Sequence, residues 1–298
     1  MDGLLLIDKP SGWTSHDAVA YVRRTLGQKK AGHTGTLDPD ATGLLIILIG
    51  KATRLAPYFE ADEKEYVAGM KLGEETDTQD ASGQVIKQCP VPPLDEKKIG
   101  EVFSRFTGKL EQVPPMYSAI KVGGQPLYKK ARAGTEVERP PRKVEIKELE
   151  LLGLKLPVIE FRVRCSKGTY VRTLCMDMGD ALGSCAHMSS LRRTMTGGYG
   201  IDGAVSLSER PDNAALSVGV TPLSGILPEL ARAVLTEKGA DGVRFGRSPG
   251  EADFAGMPEG LKEGEAVRLL DGGGQLLAIG EASGAGEAGP VRLKVVLV

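Results

Sequence analysis

One stretch limits what this chain can fold into more than any other. Gly32-His33-Thr34-Gly35-Thr36-Leu37-Asp38-Pro39-Asp40-Ala41-Thr42-Gly43 is followed at once by Leu44-Leu45-Ile46-Ile47-Leu48-Ile49. A polar, glycine-rich loop runs straight into an apolar element. Asp38 sits at the turn, held by Pro39, so a shaped loop presents a carboxylate beside a core. Taken alone, Asp38 is compatible with a cap, a turn residue or a reactive group. A phosphate-cradling loop would need a Gly-Lys-Ser/Thr ending, which this sequence lacks, and a loop carboxylate would repel phosphate. His33 and Asp40 are available to a metal, but their spacing is not diagnostic of one.

Composition narrows the choices. The 298 residues allow one large domain, or a large and a small one, and 41% hydrophobic residues support a sizeable core. A formal net charge of -1 excludes a uniformly basic protein but leaves room for a local basic face. Residues 114–142 carry six basic side chains (Lys121, Lys129, Lys130, Arg132, Arg139 and Arg142) against Glu136 and Glu138, with Tyr117 and Tyr128 interleaved. This excursion fits a nucleic-acid contact or a solvated lysine-rich loop. Cys89, Cys165, Cys175 and Cys185 form no C-x-x-C pair; reduced structural thiols in a cytosolic protein are expected, not a metal site. The N-terminal run Leu4–Ile7, closed by Asp8, is too short for a signal peptide, and no run reaches the ~20 apolar residues of a membrane span. No membrane partner is expected.

Leu4–Ile7 predicts a first strand, and Ser15 is placed to cap a helix over His16–Leu26 with Val19, Val22 and Leu26 on its apolar face. Glu65–Leu72 alternates like a strand that carries Tyr66 at its middle. Thr76–Gly83 is turn chemistry, and Leu94–Phe106 follows two prolines as a helix. Val144–Leu152, Ile159–Cys165 and the piece reaching His187–Arg193 read as strands. The helix over Val171–Leu182 is closed by Gly183. From Glu229 on, eight Lys and Arg stand against eleven Asp and Glu, and Ala266–Leu270, Leu276–Ile279 and Val291–Val298 alternate. Residues 229–298 are therefore expected to form a small β-rich domain after a catalytic domain over 1–228. Strands and helices without strict alternation predict an α+β fold with a central, mostly antiparallel sheet flanked by helices.

Arg172 lies in the first turn of its predicted helix, where the helix dipole disfavours a cation. That misplacement implies a partner elsewhere, and Asp38 is the obvious candidate. A mid-strand tyrosine such as Tyr66 is ordinarily half-buried core. His33, between glycines in a loop, is an unusual place for a core histidine.

Taken together and in order, these segments resemble the TruB family of tRNA pseudouridine synthases. The resemblance is carried by Asp8-Lys9-Pro10-Ser11-Gly12-Trp13-Thr14-Ser15, by Gly32-His33-Thr34-Gly35-Thr36-Leu37-Asp38-Pro39, and by Glu65-Tyr66 with Leu72-Gly73 and Thr76–Asp80. Pro114-Pro115-Met116-Tyr117-Ser118-Ala119-Ile120-Lys121, Ser166–Leu174 and Leu191-Arg192-Arg193-Thr194 complete it. It covers roughly residues 3–225, and the tail more loosely resembles a PUA-type RNA-binding domain.

The resemblance implies isomerisation of one uridine, conventionally position 55, in the T-arm of tRNA, without cofactor or metal. By the same analogy Asp38 is the catalytic carboxylate, acting at C1′ or at C2′, Arg172 pairs with it, and Tyr66 stacks on the uracil and helps remove the C5 proton. Tyr170 and Leu191 line the pocket, and His33 fills the space left by the flipped-out base. Lys9, Arg54, Asp80 and the excursion around Lys129, Lys130 and Arg132 are expected to bind the RNA. That long excursion points to an enzyme working without a guide RNA, and a cytoplasmic monomer is the default expectation.

Overall fold

The computed structural model describes residues 1–59, 63–117, 121–122, 125–126, 137–284 and 289–297. Lys129, Lys130 and Arg132, and with them most of the basic excursion, lie outside the described residues.

The early strands are β1 (Gly3–Lys9), β2 (Ala31–His33), β3 (Thr42–Ile49), β4 (Lys64–Leu72) and the hairpin pair β5 (Glu74–Thr76) and β6 (Val85–Gln88). After β7 (Gly108–Gln112) come two short pieces, β8 (Lys121–Val122) and β9 (Gln125–Pro126). The long strands β10 (Arg142–Lys155), β11 (Val158–Cys165) and β12 (Ala186–Thr196) follow, then β13 (Tyr199–Gly200), β14 (Val205–Ser206) and β15 (Val220–Pro222). The last five are β16 (Ala231–Leu235), β17 (Phe254–Gly256), β18 (Ala266–Leu270), β19 (Leu276–Ala282) and β20 (Val291–Val296). The helices are α1 (Ser15–Thr25), α2 (Glu96–Phe106), α3 (Val171–Ala181), α4 (Asn213–Val218) and α5 (Glu237–Arg244).

The main sheet runs β14-β1-β3-β12-β4-β11-β10-β7 and is antiparallel except at β1–β14 and β3–β12. A second sheet, β17-β16-β18-β19-β20, begins at Ala231. The expected α+β class with a mostly antiparallel centre is the observed one.

The uninterrupted apolar run of β3 has a direct cause: it is buried on both faces. Leu45, Ile47 and Ile49 join Leu5, Ile7, Val19 and Val22 under α1. Leu44, Ile46 and Leu48 face the other way and pack with Leu270, Leu276, Ile279 and Leu297 of the C-terminal part. A third cluster packs α2 and α3, through Val102, Phe103, Leu174 and Met178, onto Met70, Phe161 and Val163 of the sheet.

Two local expectations need correction. Thr14, not Ser15, caps α1: its hydroxyl accepts from the Asp17 N–H while the Asp17 carboxylate accepts from the Thr14 N–H. Ser15 is withdrawn from the cap to serve the Asp38 loop. The cysteines are also not all reduced. Cys89 and Cys185 form a disulfide, while Cys165 and Cys175 are buried and free. The bond closes where the end of β4 meets both partners: the Gly73 N–H donates to the Cys185 carbonyl and the Cys89 N–H to the Gly73 carbonyl. It thereby ties the base of the β5–β6 hairpin to the start of β12. Closing so long a loop predicts that reduction costs about 2–4 kcal/mol of stability. Urea unfolding with and without a thiol reductant measures this, and coincident midpoints would remove the tie from the stability of the fold.

Candidate active site

The loop between β2 and β3 is held from three sides, and each clamp grips backbone. The Ser15 hydroxyl donates to the Leu37 carbonyl at 3.0 Å and accepts from the Leu37 N–H at 2.8 Å. One residue beyond Asp38, the Pro39 carbonyl accepts from the Gly12 N–H at 3.0 Å and from Lys9 Nζ at 2.9 Å. The same ammonium donates to Trp13 O at 2.6 Å and Pro10 O at 2.9 Å. Arg193 closes the third side, on the Gly35 and Thr36 carbonyls at 3.1 and 3.4 Å. Leu37 and Ala41 plug the loop into the core under α1. Asp38 is thus fixed between anchored neighbours while its carboxylate remains 46% exposed.

Arg172 meets it from the first turn of α3, as its misplacement on the helix predicts. Its guanidinium is 8% exposed and lies 3.5 Å from the Asp38 carboxylate. It also donates to Asp80 Oδ2 at 3.1 Å and to the Tyr117 carbonyl at 2.7 Å, with the Tyr170 ring 5.8 Å away. Two carboxylates therefore offset a cation at a helix N-terminus. Asp80 is built in: its Oδ1 accepts from the Thr78 hydroxyl and from the N–H and hydroxyl of Ser82. The turn before it is anchored through Gln79, which sits in the left-handed region at φ 64° and accepts from the Thr173 hydroxyl. Asp80, expected to bind RNA, is engaged by Arg172 and by its own turn.

Tyr66 and Leu191 occupy one face of the paired strands β4 and β12, Tyr66 opposite Arg193 and Leu191 opposite Ala68. Both pack where the α1 core meets the α3 core. Burial, foremost, pushes the Tyr66 phenol up, as do Cys165 and Asp38, while Arg193 opposes them. Tyr170 borders the site with its backbone clasped by buried Gln112. His33 ends β2, half-buried, and its Nδ1 has no hydrogen-bond partner among the described residues. Burial and the nearby Arg193 charge lower its proton affinity.

One expected RNA contact lies elsewhere. Lys9 is fully buried beneath the loop and spends its three N–H bonds on carbonyls. Arg54 is exposed, and its guanidinium reaches the Val296 carbonyl of the second sheet. Arg193, one of the most buried charges present, drew no separate role from the sequence. Its only sequence signal is its place two residues after Leu191.

The fold is shared along nearly the whole chain. A chain of the solved Cbf5-Nop10-Gar1 complex aligns over 99% of this chain and 85% of its own, with TM-score 0.76 and 28% identity. A chain of an H/ACA RNP bound to a substrate RNA containing 2′-deoxyuridine aligns over 99% and 85%, with TM-score 0.75 and 25% identity. The molecule has the pseudouridine synthase fold. Residues 23–171 match the N-terminal domain of TruB family pseudouridylate synthases, and residues 172–217 match the C-terminal domain of tRNA pseudouridylate synthase B. The tRNA pseudouridine synthase B of Geobacter sulfurreducens is 47% identical over 278 residues, covering 92% of this chain and 91% of its own. That of Azoarcus sp. is 43% identical over 295 residues, covering 98% and 95%. The chain belongs to the TruB family of pseudouridylate synthases.

The buried ammonium gives the site a pH signature. Burial, foremost, lowers the Lys9 pKa from 10.5 to about 8, although Asp40 and Asp38 favour its charge. Between those values the unfolded chain binds more protons than the folded one, so the Lys9 contribution to stability rises with pH from about 8 to 10.5. Relative to Lys9→Met, the wild-type protein should gain on the order of 2–3 kcal/mol across that window. Parallel stability curves for the two proteins, followed by urea unfolding against pH, would show that the buried ammonium carries no such cost.

Proposed function

We propose that this chain isomerises uridine 55 in the T-arm of tRNA to pseudouridine, acting as a cytoplasmic monomer without a guide RNA. The observation that carries the reading is a half-exposed carboxylate, Asp38, on a clamped loop, 3.5 Å from a buried guanidinium whose other carboxylate partner is Asp80. The reaction breaks the C1′–N1 bond, turns the uracil and joins C5 to C1′; the C5 proton leaves and N1 gains one. Atoms and electrons balance within the substrate, so the isomerisation calls for no cofactor.

Asp38 acts on the sugar, as nucleophile at C1′ or base at C2′. Arg172, held by Asp80, keeps the carboxylate aimed until it reacts. Tyr66 stacks on the uracil and takes part in removing the C5 proton, with Tyr170 and Leu191 as pocket walls. The uridine must leave its loop at a cost of about a few kcal/mol, and His33 fills the vacated space. Residues 1–228 form the catalytic unit, 229–298 a PUA-like unit, and the basic excursion grips the RNA backbone.

Incubation with an unmodified tRNA transcript, followed by carbodiimide mapping, should place pseudouridine at the T-arm uridine. Binding without product would leave an RNA-binding protein in place of an enzyme. Asp38→Asn should abolish turnover while tRNA affinity stays within roughly tenfold, because affinity rests on phosphate contacts. Turnover equal to wild type would take Asp38 out of the mechanism. For the excursion, Lys129→Glu with Lys130→Glu should weaken binding and reduce the slope of log affinity against log salt by roughly one to two. An unchanged slope returns those lysines to solvent.

A further inference from the structure

Beneath the site lies a cation to which the chemistry above gives no part. Arg193 on β12 is 2% exposed. Its Nε donates to the Leu44 carbonyl at 2.7 Å, Nη2 to Gly35 O at 3.1 Å and Nη1 to Thr36 O at 3.4 Å. These carbonyls flank Asp38 on both sides in sequence. Among the described residues the guanidinium has no carboxylate in ion-pair contact. The backbone makes room for it. Gly43 is in the left-handed region at φ 100°, and a Cβ there would come within 2.2 Å of the Arg193 carbonyl oxygen. Across the β4–β12 pairing Arg193 stands opposite Tyr66, and its charge favours the ionised phenol.

We propose that Arg193 is a positioning residue for the isomerisation: its guanidinium ties the Asp38 loop to β12 at the position opposite Tyr66 on β4, fixing the group that acts on the sugar relative to the group that faces the base. The inference rests on the function proposed above. A buried charge held by carbonyls costs free energy, so its retention calls for a return that an apolar side chain could not give. Each of its three nitrogens meets a different carbonyl, a spread that a single ammonium nitrogen does not reproduce. The same charge has an electrostatic effect on Tyr66. The groups facing that phenol are Arg193 from β12, Cys165 from β11 and Asp38 from the loop, and of these Arg193 alone favours phenolate.

Charge and geometry separate in two variants. Arg193→Lys keeps the charge and loses the fork, whereas Arg193→Met loses both. Single-turnover release of tritium from a 5-tritiated uridine tRNA transcript gives the rate, filter binding the affinity, and fluorine NMR of 3-fluorotyrosine at position 66 the phenol titration. The rate should fall by about 10²-fold in Arg193→Met, as expected for misplacement of about 1 Å, and by an intermediate factor in Arg193→Lys. Affinity for tRNA should stay within about threefold in both. The phenol midpoint should rise by at least about one pH unit in Arg193→Met and stay near wild type in Arg193→Lys.

A phenol midpoint unmoved in Arg193→Met overturns the proposal, as does a rate that falls only with the folded fraction in a thermal melt. Should Arg193→Met fail to fold, Arg193→Lys decides: a slowed rate at retained affinity supports the proposal, and a wild-type rate overturns it. If the wild-type protein forms no pseudouridine, the functional reading fails instead, and the fluorine titration still tests the effect of Arg193 on Tyr66.

Discussion

The site depends on two buried positive charges with which, among the described residues, no carboxylate pairs directly. Lys9 and Arg193 would each be costly to take from water alone. Here both are solvated by peptide carbonyls: Pro10, Trp13 and Pro39 for the ammonium, Gly35, Thr36 and Leu44 for the guanidinium. The exchange is mutual, because those carbonyls, turned inward by the loop, also need donors. A loop built this way is held through its backbone. The Asp38 carboxylate takes no part in those backbone clamps and stays half-exposed.

Around Arg172 the division of labour repeats. Asp80, with its side chain 14% exposed, gives the guanidinium a fixed partner, while Asp38, at 46%, is the partner that faces out. Removing one member of a buried pair normally strands the other charge. With two carboxylates at the arginine, a change in charge state at Asp38 leaves the guanidinium still paired to Asp80. The arrangement suits the part proposed for Asp38 on the sugar, because the scaffold keeps a partner of its own for the arginine.

The class of fold, most strands and the Asp38–Arg172 pairing were legible in the sequence because each rests on local pattern or on a residue out of place. The positive charge at a helix N-terminus is such a residue. What stayed hidden depends on where a long polar side chain ends. Lys9 is expected at the RNA by resemblance, and only the fold shows that its head group is buried on three carbonyls. Ser15 fits a cap as well as it fits the Leu37 clasp, since both ask a hydroxyl to accept an N–H bond. The Cys89–Cys185 bond joins residues 96 apart, so only the fold brings them together.

The two-sided burial of β3 also bears on how the chain is made. The strand leaves the ribosome early, yet Leu270, Leu276, Ile279 and Leu297, which cover its back face, come last. During most of synthesis Leu44, Ile46 and Leu48 therefore lack their final neighbours, on a strand already rich in β-branched and leucine side chains. Contacts this distant in sequence make folding slow and expose such surfaces meanwhile. Until those distant residues join it, the back face of β3 is an apolar surface that only the finished fold covers.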